Sequence, residues 1–333
     1  MRVLLTGATG FVGSQVLDQL VQRGDEVRVL VLPRTLASLR HRDRVEVIEG
    51  GLEDDTALAT ATRGVDVVYH LAAIHLSALL AVTEARDLKA VNVEGTDRLL
   101  RACGANAVRR IVFTSSVAVY NAAPWALMWP IHETHPLRTT GDDNLRNYAL
   151  SKIEAEDRIR RAHQELGIQT IVLRAAAVYG TGAPWVERMV RALAANPWSA
   201  FSRSGRFACN QWIHRRDLAR AVVIGGTAPH LQYELCNIAG PELFSARDLL
   251  VAMSRIRRQA PWMHLPVREL ERTASYGHRY DMTRARARLG FAPQVKLEVG
   301  LGEVLEAMRP PPEIAKVPRT LQSPSPLAEV ELF

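Results

Sequence analysis

The chain is poor in lysine and in cysteine. Only four of its 333 residues are lysine: Lys89, Lys152, Lys296 and Lys316. The 42 basic residues against 35 acidic ones, a net charge of +7, are therefore nearly all arginine. The arginines are spread along the chain, many beside acids, as in Glu154 to Arg161. No basic face and no interleaving of basic and aromatic residues stands out, which argues against nucleic acid as a partner. The three cysteines, Cys103, Cys209 and Cys236, form no CxxC pair. That argues against a disulfide framework or a zinc site, and the expectation is a reducing, cytoplasmic compartment and no metal. Long apolar runs are missing too. Leu76 to Val82 comes nearest and stops between His75 and Thr83, far short of the ~18 residues of a membrane span. The opening MRVLLTGATG runs into a glycine-rich turn, so no secretory signal is expected.

What is present is an ordinary globular balance, 47% apolar and 23% charged, in a chain long enough for two lobes. Short apolar runs alternate with helical spacing through the first 174 residues: strands at Val3–Thr6, Val27–Leu32, Val45–Ile48, Val65–His70, Ile111–Thr114 and Gln169–Leu173, with helices between them. This alternation implies an α/β fold, a Rossmann-type doubly wound parallel sheet. Residues 1–174 read as the dinucleotide-binding domain. Residues 175–309 read as a smaller mixed α/β substrate domain, with 207–224 returning to the first lobe. Residues 310–333, with six prolines, read as an extended tail.

Gly7-Ala8-Thr9-Gly10-Phe11-Val12-Gly13 directly follows the first strand and opens a helix. Glycines at this spacing allow a tight turn, a close backbone approach to a pyrophosphate and close helix–strand packing. At the end of the second strand, where an NAD site usually carries an acid, the chain reads Val31-Leu32-Pro33-Arg34. A missing carboxylate and a nearby guanidinium favour the 2′-phosphate of NADP, with NAD as the alternative.

Tyr148 and Lys152 stand four apart at the start of a helix and project from one face. An ammonium beside a phenol is expected to lower its pKa and fit it for acid–base work on a carbinol or carbonyl oxygen. Ser115 and Ser116 follow the fifth strand, at the edge where such sheets bind ligands.

With these pieces in place, the chain resembles the extended short-chain dehydrogenase/reductase superfamily, of the NAD-dependent epimerase/dehydratase type. The matching segments are TGATGFVG (6–13), HLAA (70–73), NVEGT (92–96), TSSVAVY (114–120), YALSK (148–152), LRAAAVYG (173–180), WIHRRDLARA (212–221) and RARLGFAP (286–293), in the family's order. The resemblance implies a catalytic triad of Ser116, Tyr148 and Lys152, with Lys152 also on the nicotinamide ribose. It implies a cofactor site lined by Gly7, Thr9, Gly10, Phe11, Val12, Gly13, Leu52, Leu71, Ala72, Ala73, Asn92, Thr114, Ala175 and Val178. It also implies a homodimer through the helices near Asp87–Cys103 and Tyr148–Leu166.

The chain departs from the family pattern at several positions. Gly51 stands where an Asp normally holds the adenine amino group. Val117 and Ala118 replace the Asp-Glu pair of sugar-nucleotide dehydratases. Ala177 stands for an Asn, and Asn210 for an Arg that binds a diphosphate, although Arg203, Arg206 or Arg215 is able to substitute. Trp125, Trp185 and their apolar neighbours suit either a hydrophobic substrate pocket or packing, and His75 lies on the same side. Two reactions therefore stay open. One is ketone reduction or secondary-alcohol oxidation on a small, fairly apolar, non-nucleotide substrate. The other is 4-epimerisation of a nucleotide sugar. A non-catalytic member would be free to lose Tyr148 or Lys152, and this chain has both.

Overall fold

The computed structural model describes residues 1–75, 85–121, 129–139, 144–195, 210–244, 248–249, 251–253 and 278–308. Trp125, Arg203, Arg206, Cys209 and the proline-rich tail lie outside the described residues.

Strands β1 (Arg2–Thr6), β2 (Glu26–Val31), β3 (Glu46–Glu49), β4 (Val67–His70), β5 (Arg110–Ser116), β6 (Gln169–Ala175) and β9 (Tyr233–Ile238) form one parallel sheet in the order β3-β2-β1-β4-β5-β6-β9. Two short strands, β7 (Val178–Tyr179) and β8 (Ile213–His214), pair separately. The sheet is buried on both faces, so its strands read as continuous apolar runs. Val3, Leu5, Val29 and Tyr69 pack on one side against helices α1 (Gly13–Arg23) and α7 (Arg215–Thr227). Leu4, Leu30, Val68 and Phe113 pack on the other, against α2 (Asp55–Thr62), α4 (Gly95–Ala105) and α5 (Asn144–Leu166).

The helix expected over Asp87–Cys103 is interrupted. A short α3 (Ala85–Leu88) runs into a π-helical turn, Lys89–Glu94, before α4. Such turns often mark functional sites, and this one carries Asn92.

The sheet layer also draws back more of the second half than 207–224. β9 adds a seventh strand beside β6, and α8 (Thr283–Leu289) packs Ala285 and Leu289 into the same core. The strand YELCNI escapes a search for apolar runs because Glu234 and Asn237 are buried within it. Arg284 and Arg288 hold Glu234 from α8, and Tyr120 donates to Asn237 Oδ1 at 2.6 Å. A separate cluster, with Tyr179, Val186, Trp212, Phe244 and Leu301, forms the core of the second lobe around α6 (Pro184–Ala195) and α9 (Leu297–Ala307).

Candidate active site

In an open sheet of this kind, ligands bind beyond the carboxyl ends of the strands, where the strand order reverses. Here that point lies between β1 and β4, and the groups of chemical interest gather around it and along β5.

Helix α5 presents Tyr148, Lys152 and Glu156 at steps of four on its inner face, all buried. Lys152 Nζ donates to the Thr114 carbonyl at 3.1 Å and sits 4.9 Å from the centre of the Phe113 ring. Burial pushes the Lys152 ammonium down to about 8, with Glu156 pulling it back up. Burial pushes the Tyr148 phenol up to about 12, opposed by its hydrogen bond with Ser116. The expected lowering of the Tyr148 pKa by Lys152 is therefore not found. The ammonium is turned to the Thr114 carbonyl and the Phe113 face, and desolvation decides the phenol. Tyr148 is a protonated acid at neutral pH. Ser116 Oγ also accepts from Ala118 N at 3.1 Å, which fixes its direction at the strand end.

Behind this pair stands a buried ion pair. Arg174 grips Glu156 with two nitrogens, at 2.9 and 2.6 Å, and Ser115 Oγ donates to the same carboxylate at 2.5 Å. Burial opposes the Arg174 charge and the Glu156 contact more than restores it. Ser115 and Arg174 are register partners on β5 and β6, so Glu156 ties α5 to both strands.

A second chain of hydrogen bonds runs from β1 to α5. Ala72 N donates to Thr6 Oγ1 (3.2 Å), and Thr6 Oγ1 lies 2.8 Å from His70 Nδ1. His70 Nε2 lies 2.9 Å from Thr96 Oγ1, which donates to the Asn92 carbonyl at 2.7 Å. The Thr96 hydroxyl proton is thus spent, and His70 must carry its own on Nε2 and accept at Nδ1. Burial pushes the His70 imidazole down to about 3, assisted by the Lys152 charge, so the ring stays neutral. Asn92 clamps Ile74 through both its N–H and its carbonyl and donates to Ser151 Oγ at 3.0 Å. Ser151 in turn donates to the Tyr148 carbonyl. Asn92 therefore acts by holding the Leu71–Ile74 strip and α5, with its amide fully used.

The glycine-rich turn fits a dinucleotide. Gly7 has φ +77°, and a Cβ there would press on Ala72 N and the Leu71 carbonyl carbon, so the turn and the 71–73 strip lie in contact. A Cβ on Gly13 would collide with the Gly7 carbonyl, so α1 approaches the turn closely. Gly10 is exposed and has only the Gly7 carbonyl beside it, which leaves backbone open to a ligand. The N-terminus of α1 has no side-chain cap and no acid in its first turn. The Ser14, Gln15 and Val16 amides are taken by the Gly10 and Val12 carbonyls, and the dipole of the helix favours an anion at this end. Thr114 Oγ1, buried near the end of β5, has no hydrogen-bond partner among the described residues. Together these groups suit a pyrophosphate at Gly10 and a polar ligand edge at Thr114.

The model of the NAD dependent epimerase/dehydratase family matches residues 3–239. The chain belongs to that family. It is 28% identical to a 3-beta-hydroxysteroid dehydrogenase of Mycolicibacterium neoaurum, over 91% of this chain and 90% of that one. It is 26% identical to a 2-alkyl-3-oxoalkanoate reductase of Stenotrophomonas maltophilia, over 90% and 97%. The fold is similar to a UDP-glucuronic acid 4-epimerase from Bacillus cereus solved in complex with NAD. There the TM-score is 0.72 at 21% identity, covering 92% of this chain and 98% of that one.

Within this epimerase/dehydratase fold, Ser116 and Ala175 end neighbouring strands in register. Leu52 is buried under Gly95. Arg34 is exposed just past β2, in a 3-10 turn over Pro33–Ser38, with no ion pair among the described residues. Arg40, by contrast, is held by Asp18 at 2.7 Å. His75 lies edge-on to Tyr148, with ring centres 5.4 Å apart. Ala177 is exposed. Asn210 exchanges two backbone hydrogen bonds with Phe244 at the lobe edge. Trp185 is half-buried, packs edge-on to Trp212 at 4.8 Å and donates to the Val178 carbonyl at 3.0 Å. Arg215 stacks over Phe11 at 5.3 Å. Glu156, Arg174, His70 and Ser151 escape a motif search for roles. The available signal was a glutamate four residues beyond Lys152 on a face that must be buried.

Proposed function

We propose that the chain is a nicotinamide-dependent reductase that converts a ketone to a secondary alcohol, or runs the reverse, on a fairly apolar, non-nucleotide substrate. The observation that carries this reading is the buried Tyr148 phenol beside Ser116, one helical turn from the buried Lys152 ammonium on the same helix. The bound dinucleotide would supply or accept the hydride. Ser116 orients the carbonyl oxygen, and Tyr148 donates its proton to that oxygen as negative charge develops there. Lys152 supports the phenolate left behind. A phenol that is protonated at neutral pH suits the reducing direction.

The substrate class rests on what surrounds the edge. Exposed Ala177 offers no amide, and Asn210 offers no guanidinium to a diphosphate. The hydroxysteroid dehydrogenase and the oxoalkanoate reductase to which the chain is similar also support a non-nucleotide substrate. Exposed Arg34 supports NADP over NAD. The second reading is 4-epimerisation of a nucleotide sugar, favoured by the segments WIHRRDLARA and RARLGFAP, which resemble that branch of the family.

The test is to denature purified protein, identify any released dinucleotide, and titrate emptied protein with NADPH and NADH. An exchanging enzyme that prefers NADPH is the expected result. Stoichiometric retained NAD, followed by turnover of a nucleotide sugar, would establish the epimerase instead.

A further inference from the structure

In the proposed reduction Tyr148 is left as a phenolate, which must regain a proton before the next turnover. The phenol is shut off from water: Tyr148 is 4% exposed and packs against Leu88, Ile74 and Ala118. The Lys152 ammonium offers no way out among the described residues. It is buried and turned to the Thr114 carbonyl and the Phe113 face, and its neighbour Glu156 is spent on Arg174 and Ser115. In the same reaction Ser116 holds the substrate oxygen. His75 is placed differently. It is exposed at the surface, and its ring stands edge-on to the Tyr148 ring, with centres 5.4 Å apart. The surrounding hydrogen bonds hold this contact from both sides. Asn92 clamps the N–H and the carbonyl of Ile74, the residue before His75, and the same amide donates to Ser151, three residues beyond Tyr148 on α5. The strip that carries His75 and the start of α5 are thereby fixed against each other.

A neutral imidazole suits this traffic, because one ring nitrogen accepts a proton while the other donates one. Desolvation, joined by the Lys152 charge, pushes the His75 imidazole down to about 4 even though the residue is exposed overall, so the ring is neutral at pH 7. We propose that His75 carries a proton from solvent to Tyr148 after each reduction. Water gives a proton to one imidazole nitrogen as the N–H of the other gives its own to the phenolate, directly or across one water. The phenol is restored, the ring is left in its other tautomer and returns by exchange at the surface, and solvent has supplied the one proton that the reduction consumes. This rests on the ketone-reductase reading and adds to it the group that resets the acid.

The test follows the reduction of a panel of β-keto esters and cyclic ketones by NADPH in native protein, His75→Ala and His75→Gln. Both variants should lower kcat by about 10²-fold, the low end of what a positioned proton-transfer group contributes. Both should bind NADPH as tightly as native protein in a fluorescence titration. Added imidazole should raise kcat of His75→Ala in proportion to its concentration, because it enters the space that the ring has left. It should do little for His75→Gln, where an amide fills that space. A native kcat in either variant, or a loss in His75→Ala that imidazole does not repair, would overturn the assignment while the reductase reading stands. A native protein that binds NADPH and reduces none of the ketones would overturn the reading and this assignment together.

Discussion

At β4 and β5, the groups that face the reaction are buried and tied together. Lys152 is held by Thr114, Glu156 by Arg174 and Ser115, and Tyr148 by Ser116 and, through its carbonyl, by Ser151. At β2 and β3, on the same edge of the same sheet, Arg34 and Glu53 are exposed, and neither forms an ion pair among the described residues. The first region is organised before anything binds, as proton transfer in the transition state requires. The second presents charges without ion-pair partners among the described residues, which under the proposed function meet a ligand. Substitutions in the first should therefore appear in kcat and pH dependence. Those in the second should appear in dinucleotide affinity, with kcat little changed.

The largest effect should come from Tyr148→Phe. Removing a positioned acid should lower kcat by about 10²–10⁴-fold, while the NADPH dissociation constant, measured by fluorescence titration, stays within about threefold on the same argument that the hydroxyl acts on the substrate. A matching loss of affinity would show that the two regions are not separate.

Glu156→Gln should come next. It leaves Arg174 buried without its carboxylate, and breaking such a pair costs about 3–5 kcal/mol, which thermal unfolding would read. It also removes the charge that holds the Lys152 ammonium up. In the native enzyme that ammonium is lost as pH rises through about 8, so activity should fall along that limb. In Glu156→Gln the limb should lie at lower pH. A variant that is merely less stable, with its pH profile unmoved, would make Glu156 a packing residue only.

The placement of the proposed reaction end was legible in the sequence because the chemistry proposed for it demands fixed spacings. Tyr148 and Lys152 had to share a helix face, and the glycines had to fall between strand and helix. What the sequence hid was satisfied internally. His70, Asn92 and Glu156 are polar residues in buried positions, and only the fold reveals that each has its partner. The phenol pKa was misjudged for a related reason. Spacing places an ammonium near Tyr148, but the direction of the shift depends on burial and on where the ammonium points. Strand β9 was hidden because Glu234 and Asn237 break its apolar run, and their partners Arg284 and Tyr120 are distant in sequence. The aromatic residues of the second lobe were ambiguous in sequence, since nothing there sets Trp185 edge-on to Trp212.

The smallest effect belongs to Arg34→Ala, and it tests the comparison from its other side. Arg34 is exposed, so solvent and salt screen its interaction with any anion. A charge-assisted contact to a 2′-phosphate should then be worth about tenfold in affinity for NADPH. NADH lacks that phosphate and should bind as before, and kcat at saturating NADPH should be unchanged, because nothing at β5 senses the loss. The NADPH difference should shrink as ionic strength rises, which separates an electrostatic contact from a change in the turn over Pro33–Ser38. Equal losses for NADPH and NADH would mean that Arg34 supports the turn rather than the phosphate. Discrimination between the two dinucleotides would then have to come from Arg42 or Arg44, since Arg40 is already held by Asp18.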